Sequence, residues 1–126
     1  MSNKYKPTET ELEILQILWQ RGPSSVRDIN DVMSQEREIG YTTTLKLMQI
    51  MNEKELTQRD TASRTHIYKA NVEEDKVKSG LLQSFINTAY RGSASSLVMQ
   101  ALGQGQTSAD ELAKIKSLIA DIEGKK

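Results

Sequence analysis

The stretch Tyr41-Thr42-Thr43-Thr44-Leu45-Lys46-Leu47-Met48-Gln49-Ile50-Met51, followed closely by Leu56-Thr57-Gln58-Arg59-Asp60 and Arg64-Thr65-His66-Ile67-Tyr68-Lys69, decides the fold. Successive hydroxyl residues suit a helix start, where they can cap amides, and suit a helix interior poorly. From Thr44 onward, Leu47, Met48 and Met51 fall on one face at about 100° per residue. After Leu56 the period changes. The two β-tolerant stretches flank Thr61-Ala62-Ser63 and predict a hairpin. A hairpin placed directly after such a helix is a wing.

Upstream, Thr8-Glu9-Thr10-Glu11 has the form of a capping box and predicts a helix from about Glu9 to Gln20. Leu12, Leu15, Leu18 and Trp19, with Ile14 beside them, form its apolar stripe, and Gly22-Pro23 ends it. Trp19 reads as core. Ser25-Val26-Arg27-Asp28 offers a second cap, weaker because Asp stands where Glu is usual. Val26, Ile29, Val32 and Met33 then stripe a short helix that fades by Gln35. Helices joined by short connections and closed by a hairpin give a winged helix-turn-helix.

Beyond Asn71 no strand signal returns. Val77, Leu81 and Phe85, flanked by Leu82, Ile86 and Ala89, predict a long helix that Gly92 closes. Ser95-Ser96 precedes Leu97, Val98, Ala101 and Leu102, a short apolar helix ended by Gly103 and Gly105. Ser108-Ala109-Asp110-Glu111 is another capping box, with Leu112, Ile115, Ile119 and Ile122 following in a coiled-coil-like rhythm. The expected fold is mostly α with a small β-hairpin. Residues 1–71 make an N-terminal winged-helix DNA-binding domain, and residues 72–126 make a three-helix dimerisation domain. The second set of stripes is too large for residues 72–126 to hide alone. Val77, Leu81, Phe85, Leu97, Val98, Leu112, Ile115 and Ile119 are therefore expected across a two-fold axis in a homodimer.

Composition removes most other classes. A chain of 126 residues allows one compact domain or two small ones. It has no Cys and one His, which excludes disulfide frameworks, thiolate chemistry and ordinary His/Cys metal sites. There is no Gly-rich phosphate loop and no nucleophile elbow, so no enzyme activity and no cofactor is expected. The first residues, Met1 to Pro7, lack the apolar core of a signal peptide, and no apolar run is long enough to span a bilayer. The expectation is a cytoplasmic protein without membrane insertion.

Lys+Arg and Asp+Glu both total 17, so attraction to a polyanion has to come from local arrangement. Segment 41–70 carries Lys46, Lys54, Arg59, Arg64 and Lys69 against Glu53, Glu55 and Asp60, which puts a positive excess in the third helix and hairpin. On the side of that helix away from its apolar face stand Thr42, Lys46, Gln49 and Glu53, with Thr43 and Leu45 at the flanks. The first turns of such a helix enter the major groove, where Thr42 and Thr43 can meet phosphate or base edges, Lys46 a guanine edge or phosphate, and Gln49 an adenine. The alternative is a solvated helix face with a threonine cap. Arg59 and Arg64 flank the hairpin turn, where they can follow the sugar-phosphate backbone or simply solubilise an edge strand. His66 can add a phosphate contact or be an ordinary surface residue.

Several segments resemble the BlaI/MecI family of penicillinase repressors: Glu11-Leu12-Glu13-Ile14-Leu15-Gln16-Ile17-Leu18-Trp19, Val26-Arg27-Asp28-Ile29, Tyr41-Thr42-Thr43-Thr44 through Lys54-Glu55-Leu56, Ile67-Tyr68, Phe85 with Tyr90-Arg91-Gly92, and Ser96-Leu97-Val98. The resemblance spans almost the whole chain. It implies a dimeric winged-helix repressor of inverted-repeat operators, often of TACA/TGTA type, with Thr42, Thr43 and Lys46 on the recognition helix and Arg59 and Arg64 on the wing. It also implies release through a membrane sensor peptidase that triggers cleavage in the dimerisation region. Two departures stand out. Glu55 occupies a position where the family usually has Gly, and Gln100-Ala101 stands where some members have an Asn-Phe cleavage pair. The copper-responsive branch carries a C-terminal Cys motif that is absent here.

Ser96 to Gln106 is a short apolar helix running into a Gly-Gln segment, a stretch suited to local opening. Scission near Gln100-Ala101 would detach the last helix. Two function classes follow from the sequence: a double-stranded DNA operator repressor, and a winged-helix protein-interaction module that reads no DNA, since fold does not fix function.

Overall fold

The computed structural model describes residues 6–62 and 64–125; Met1–Tyr5, Ser63 and Lys126 lie outside them. The chain divides into two compact units, Met1–Leu82 and Gln83–Lys126.

In the first unit, α1 (Glu9–Arg21) is followed by β1 (Ser24–Ser25), α2 (Val26–Met33), α3 (Tyr41–Glu53), β2 (Thr57–Asp60) and β3 (Ile67–Ala70). The first two helices begin where their capping residues dictate. The Glu11 amide donates to Thr8 Oγ1 at 3.2 Å and the Thr8 amide to Glu11 Oε1 at 3.0 Å. Ser25 and Asp28 exchange the same pair of bonds at 3.1 Å each, so Asp closes a complete box. Helix α3 differs from expectation: Gly40 is its N-cap and gives no side-chain bond. The threonines lie inside the first turn, where the Thr44 hydroxyl donates back to the Gly40 carbonyl at 3.3 Å.

Among the described residues the strands form one antiparallel sheet in the order β1-β3-β2. The hairpin register sets Arg59 opposite Tyr68 and Asp60 opposite Ile67. Strand β1, absent from the sequence expectation, pairs Ser24 with Tyr68 and Ser25 with Ile67. Two serines are too short a run to show alternation.

The core joins Ile14, Leu15 and Leu18 of α1, Ile29 of α2, Met48 and Met51 of α3, and Leu56 and Tyr68 of the wing's base. Thr44, Met48 and Met51 are fully buried and Leu47 half-buried, as the helical spacing requires. Trp19 is half-buried, and its indole N–H donates to the Val72 carbonyl at 3.1 Å.

The exit from α3 fixes where the wing starts. Glu55 has φ +67°, its amide donates to the Asn52 carbonyl at 3.1 Å, and the Leu56 amide donates to the Met51 carbonyl at 2.9 Å. These are the two bonds of a Schellman motif, and both Leu56 and Met51 belong to the buried core. Glycine usually takes that left-handed position because it has no Cβ penalty. Glu55 adopts it all the same, so the turn forms without the Gly.

Helix α4 (Glu74–Ala89) starts in the first unit, where Val77 is fully buried in the core and Leu81 packs against it. The second unit holds the rest of α4, then α5 (Ala94–Gly103) and α6 (Ala109–Gly124). At the end of α4 the Ile86 carbonyl accepts from the Tyr90 and Gly92 amides, both at 3.0 Å, and Gly92 has φ +87°. Ser93, two residues before the serines expected to begin α5, is its N-cap. Ser108 and Glu111 form the predicted box at the start of α6. No helix among the described residues is long and apolar enough to cross a membrane.

Candidate nucleic-acid interface

The outer face of α3 is held in place by a side chain on α2. Asn30 donates both hydrogens of its amide, one to the Ile39 carbonyl and one to Thr44 Oγ1, each at 2.9 Å. Ile39 lies in the loop before α3 and Thr44 is fully buried in its first turns, so one amide sets the position of the helix start relative to α2. At the far end, Lys54 Nζ reaches the buried Glu11 carboxylate at 2.8 Å. Helix α3 is thus tied to α2 at one end and to α1 at the other.

With α3 so held, Thr42, Thr43, Lys46 and Gln49 are exposed. Between α3, the start of α2 and the wing lies a cleft of about 440 Å³, lined by Arg27, Tyr41, Gln49, Arg59, Arg64 and His66 among others. The structure brings Gln49, Arg59, Arg64 and His66 together there. Thr42, Thr43 and Lys46 stand on the outer face of α3, outside the cleft lining. Arg59 is in β2 and Arg64 in the turn that follows.

Among the described residues no Asp or Glu lines the cleft, although the chain as a whole is neutral. The acid next to Arg27 in sequence is committed elsewhere. The Asp28 carboxylate accepts from the Ser25 amide at 3.1 Å, the Asp28 amide donates to Ser25 Oγ at 3.1 Å, and Arg21 lies 4.0 Å away. These hydrogen bonds from Ser25, with a smaller contribution from the Arg21 charge, hold its carboxyl below the usual carboxylate range.

Arg27 and Tyr41 are the cleft residues that sequence reasoning passed over. The Arg27 guanidinium carbon lies 5.4 Å from the centroid of the Tyr41 ring. A signal did exist: Arg27 puts a cation in the first turn of α2, where the helix dipole favours an anion.

A family model for penicillinase repressors matches residues 7–121. The chain belongs to the penicillinase repressor family. It is accordingly a transcriptional repressor of the BlaI and MecI type. It is 24% identical to a penicillinase repressor of Staphylococcus aureus over 99% of this chain and 100% of that protein. It is 26% identical to the methicillin resistance regulatory protein MecI of Mammaliicoccus sciuri, over 94% of this chain and 98% of that one. Against the transcriptional regulator BlaI of Mycobacterium tuberculosis the identity is 25%, over 91% of this chain and 83% of that protein. Among solved structures, the complex of hsRosR-S4 superposes with a TM-score of 0.53 at 13% identity, covering 98% of this chain and 95% of that one. That likeness supports the winged-helix fold alone.

In this member of the penicillinase repressor family, the residues expected to dimerise fall into three groups. Phe85, Val98, Leu112 and Ile119 are exposed, as are Ile122 and, unanticipated, Met99 and Leu118. Leu97 and Ile115 are half-buried. Val77, in contrast, is 0% exposed and belongs to the core of the first unit, with Leu81 packed beside it. Val77 is therefore a core residue, because the start of α4 closes the winged helix. Gln100 and Ala101 are exposed within α5, and the Tyr90 hydroxyl donates to Gln100 Oε1 at 2.9 Å.

Proposed function

We propose that the protein is a homodimeric repressor that binds an inverted-repeat operator on double-stranded DNA and is released by proteolytic cutting of its dimerisation region. The observation that carries the DNA part is the cleft set between α3 and the wing, which among the described residues is lined by three arginines, a histidine and no carboxylate. In this reading Thr42, Thr43, Lys46 and Gln49 meet base edges and nearby phosphates in the major groove, while Arg59 and Arg64 follow the backbone from the wing. The exposed Phe85, Val98, Leu112 and Ile119 support the dimer, since such side chains gain most when a second copy covers them. The dimerisation domain then begins later than Asn71, after the core segment around Val77. A two-fold axis matches an inverted repeat.

Release by cutting rests on α5. Gln100 and Ala101 are exposed, and the helix is short and ends before Gly105, which has φ +73°. Local opening of such a helix exposes an extended segment to a protease. In this reading the protease acts downstream of a membrane sensor peptidase, and scission separates two tethered reading heads that bind much more tightly together than apart.

The test is a gel retardation assay with duplexes from the protein's own promoter region at two salt concentrations, with sedimentation of the same sample. A salt-sensitive complex containing two protomers is expected. A dimer that retards no duplex would make the winged helix a protein-interaction module. A monomer at micromolar concentration would remove the dimer. An operator complex that survives complete cleavage at a protease site inserted after Gln100 would remove the release mechanism.

A further inference from the structure

Arg27 adds its charge to the cleft, but neither it nor Tyr41 is given a contact in the proposed DNA complex. Both are exposed and both line the cleft, on the bank made by α2 and α3, with Arg59, Arg64 and His66 contributed by the wing. The guanidinium carbon sits 5.4 Å from the Tyr41 ring centroid, within cation–π range. Among the described residues Arg27 makes no ion pair. Its sequence neighbour Asp28 is turned back onto the Ser25 amide at 3.1 Å, and Asp31, one helical turn on, is outside the cleft lining.

We propose that Arg27, steadied on the ring of Tyr41, is a DNA-backbone contact facing the wing arginines, so that one phosphodiester strand lies in the cleft between them. This rests on the DNA-binding reading and names the part of the ligand that this cleft takes. A guanidinium held over a ring face keeps N–H donors available, and its planar edge matches the two free oxygens of a phosphodiester. Holding the side chain in place beforehand reduces the rotamer freedom lost on binding. Tyr41 is the first residue of α3, so the guanidinium over its ring is registered to that helix itself. Arg27 is thus a binding residue. Tyr41 is a positioning residue that acts through it.

The test measures affinity by fluorescence anisotropy for a promoter duplex and for a mixed-sequence duplex of about 30 base pairs, from about 50 to about 200 mM salt. Arg27→Gln should weaken both duplexes alike, by about tenfold, and reduce the slope of log K against log salt by about one. Tyr41→Leu should weaken both a few-fold with the slope unchanged, because the charge remains. Tyr41→Phe keeps the ring and should behave as wild type. Arg37→Gln, whose guanidinium is bonded to Glu13 and lies outside the cleft, should leave DNA binding unchanged. Thermal melts should match wild type for Arg27→Gln, since Arg27 is exposed. An unchanged slope in Arg27→Gln, with a reduced slope in Arg64→Gln, overturns this assignment and leaves the DNA reading intact. Wild-type protein that binds neither duplex overturns both.

Discussion

Replacing Asn30 by Ala tests how α3 is held. The substitution removes two hydrogen bonds, to the Ile39 carbonyl and Thr44 Oγ1, each 2.9 Å long. At about 1 kcal/mol net per bond, the loss is about 2 kcal/mol. Neither acceptor is left wholly unpaired: Thr44 Oγ1 keeps its bond to the Gly40 carbonyl, and Ser34 Oγ reaches the Ile39 carbonyl at 3.4 Å. Ala is the better helix former inside α2 and returns about 0.5 kcal/mol. The expected destabilisation is therefore about 1.5 kcal/mol, or roughly 6 to 12 °C in Tm for a domain of this size. Trp19, the chain's single tryptophan, is half-buried in the same unit, so urea unfolding followed by its fluorescence reads the winged helix directly. Asn30→Asp keeps the shape but loses the donors and sets a carboxylate against a carbonyl, so it should be worse than Ala. A cycle with Thr44→Val should give a coupling of about 1 kcal/mol. A loss below about 0.5 kcal/mol in Asn30→Ala, or an Asp variant as stable as Ala, would refute the reasoning.

Three further outcomes follow from local chemistry. Glu55→Gly should raise stability by about 0.5 to 1 kcal/mol, because φ +67° costs a side-chain-bearing residue more than the added chain entropy costs Gly; urea unfolding checks it, and a less stable variant would show that the Glu55 side chain outweighs the strain. Thr57 Oγ1 is buried without a hydrogen-bond partner among the described residues, so Thr57→Val should stabilise by about 1 kcal/mol, and a destabilised variant would mean that the hydroxyl is satisfied in solution. The Ser25 hydrogen bonds lower the Asp28 carboxyl from its usual 3.8, so its contribution is present above that value and is lost as pH falls through the lower folded value. Wild type should therefore exceed Asp28→Asn in stability at neutral pH, with the gap closing below about pH 4; a gap that stays constant down to pH 3 would remove the linkage.

The fold was legible where side chains near in sequence carry their own instructions. Thr8 with Glu11, Ser25 with Asp28 and Ser108 with Glu111 mark helix starts that the structure reproduces bond for bond. The stripe of Thr44, Met48 and Met51 gave the buried side of α3. What was not legible depends on partners far along the chain. Strand β1 exists because Ser24 and Ser25 find Ile67 and Tyr68 across more than forty intervening residues, and no pattern in two serines announces that. Val77 has the same spacing whether it faces a second copy or its own core. Only the bond from Trp19 to Val72 and the packing around it put the start of α4 with the winged helix.

The site was legible in part for a related reason. Counting charges along the chain found the excess in segment 41–70, of which the fold brings Arg59 and Arg64 to the cleft, while Lys46 stands outside its lining and Lys54 is paired with Glu11. It did not find Arg27, because α2 looked balanced: Arg27 stands beside Asp28, and one charge cancels the other in a linear count. In three dimensions they separate. Asp28 is drawn into the capping box while Arg27 is drawn onto Tyr41 and lines the cleft. A neutral chain can thus present a local cationic surface by fastening its carboxylates to backbone amides and cations elsewhere, as Glu11 also does with Thr8 and Lys54. Net charge measures what is present, whereas binding depends on which charges remain facing the ligand.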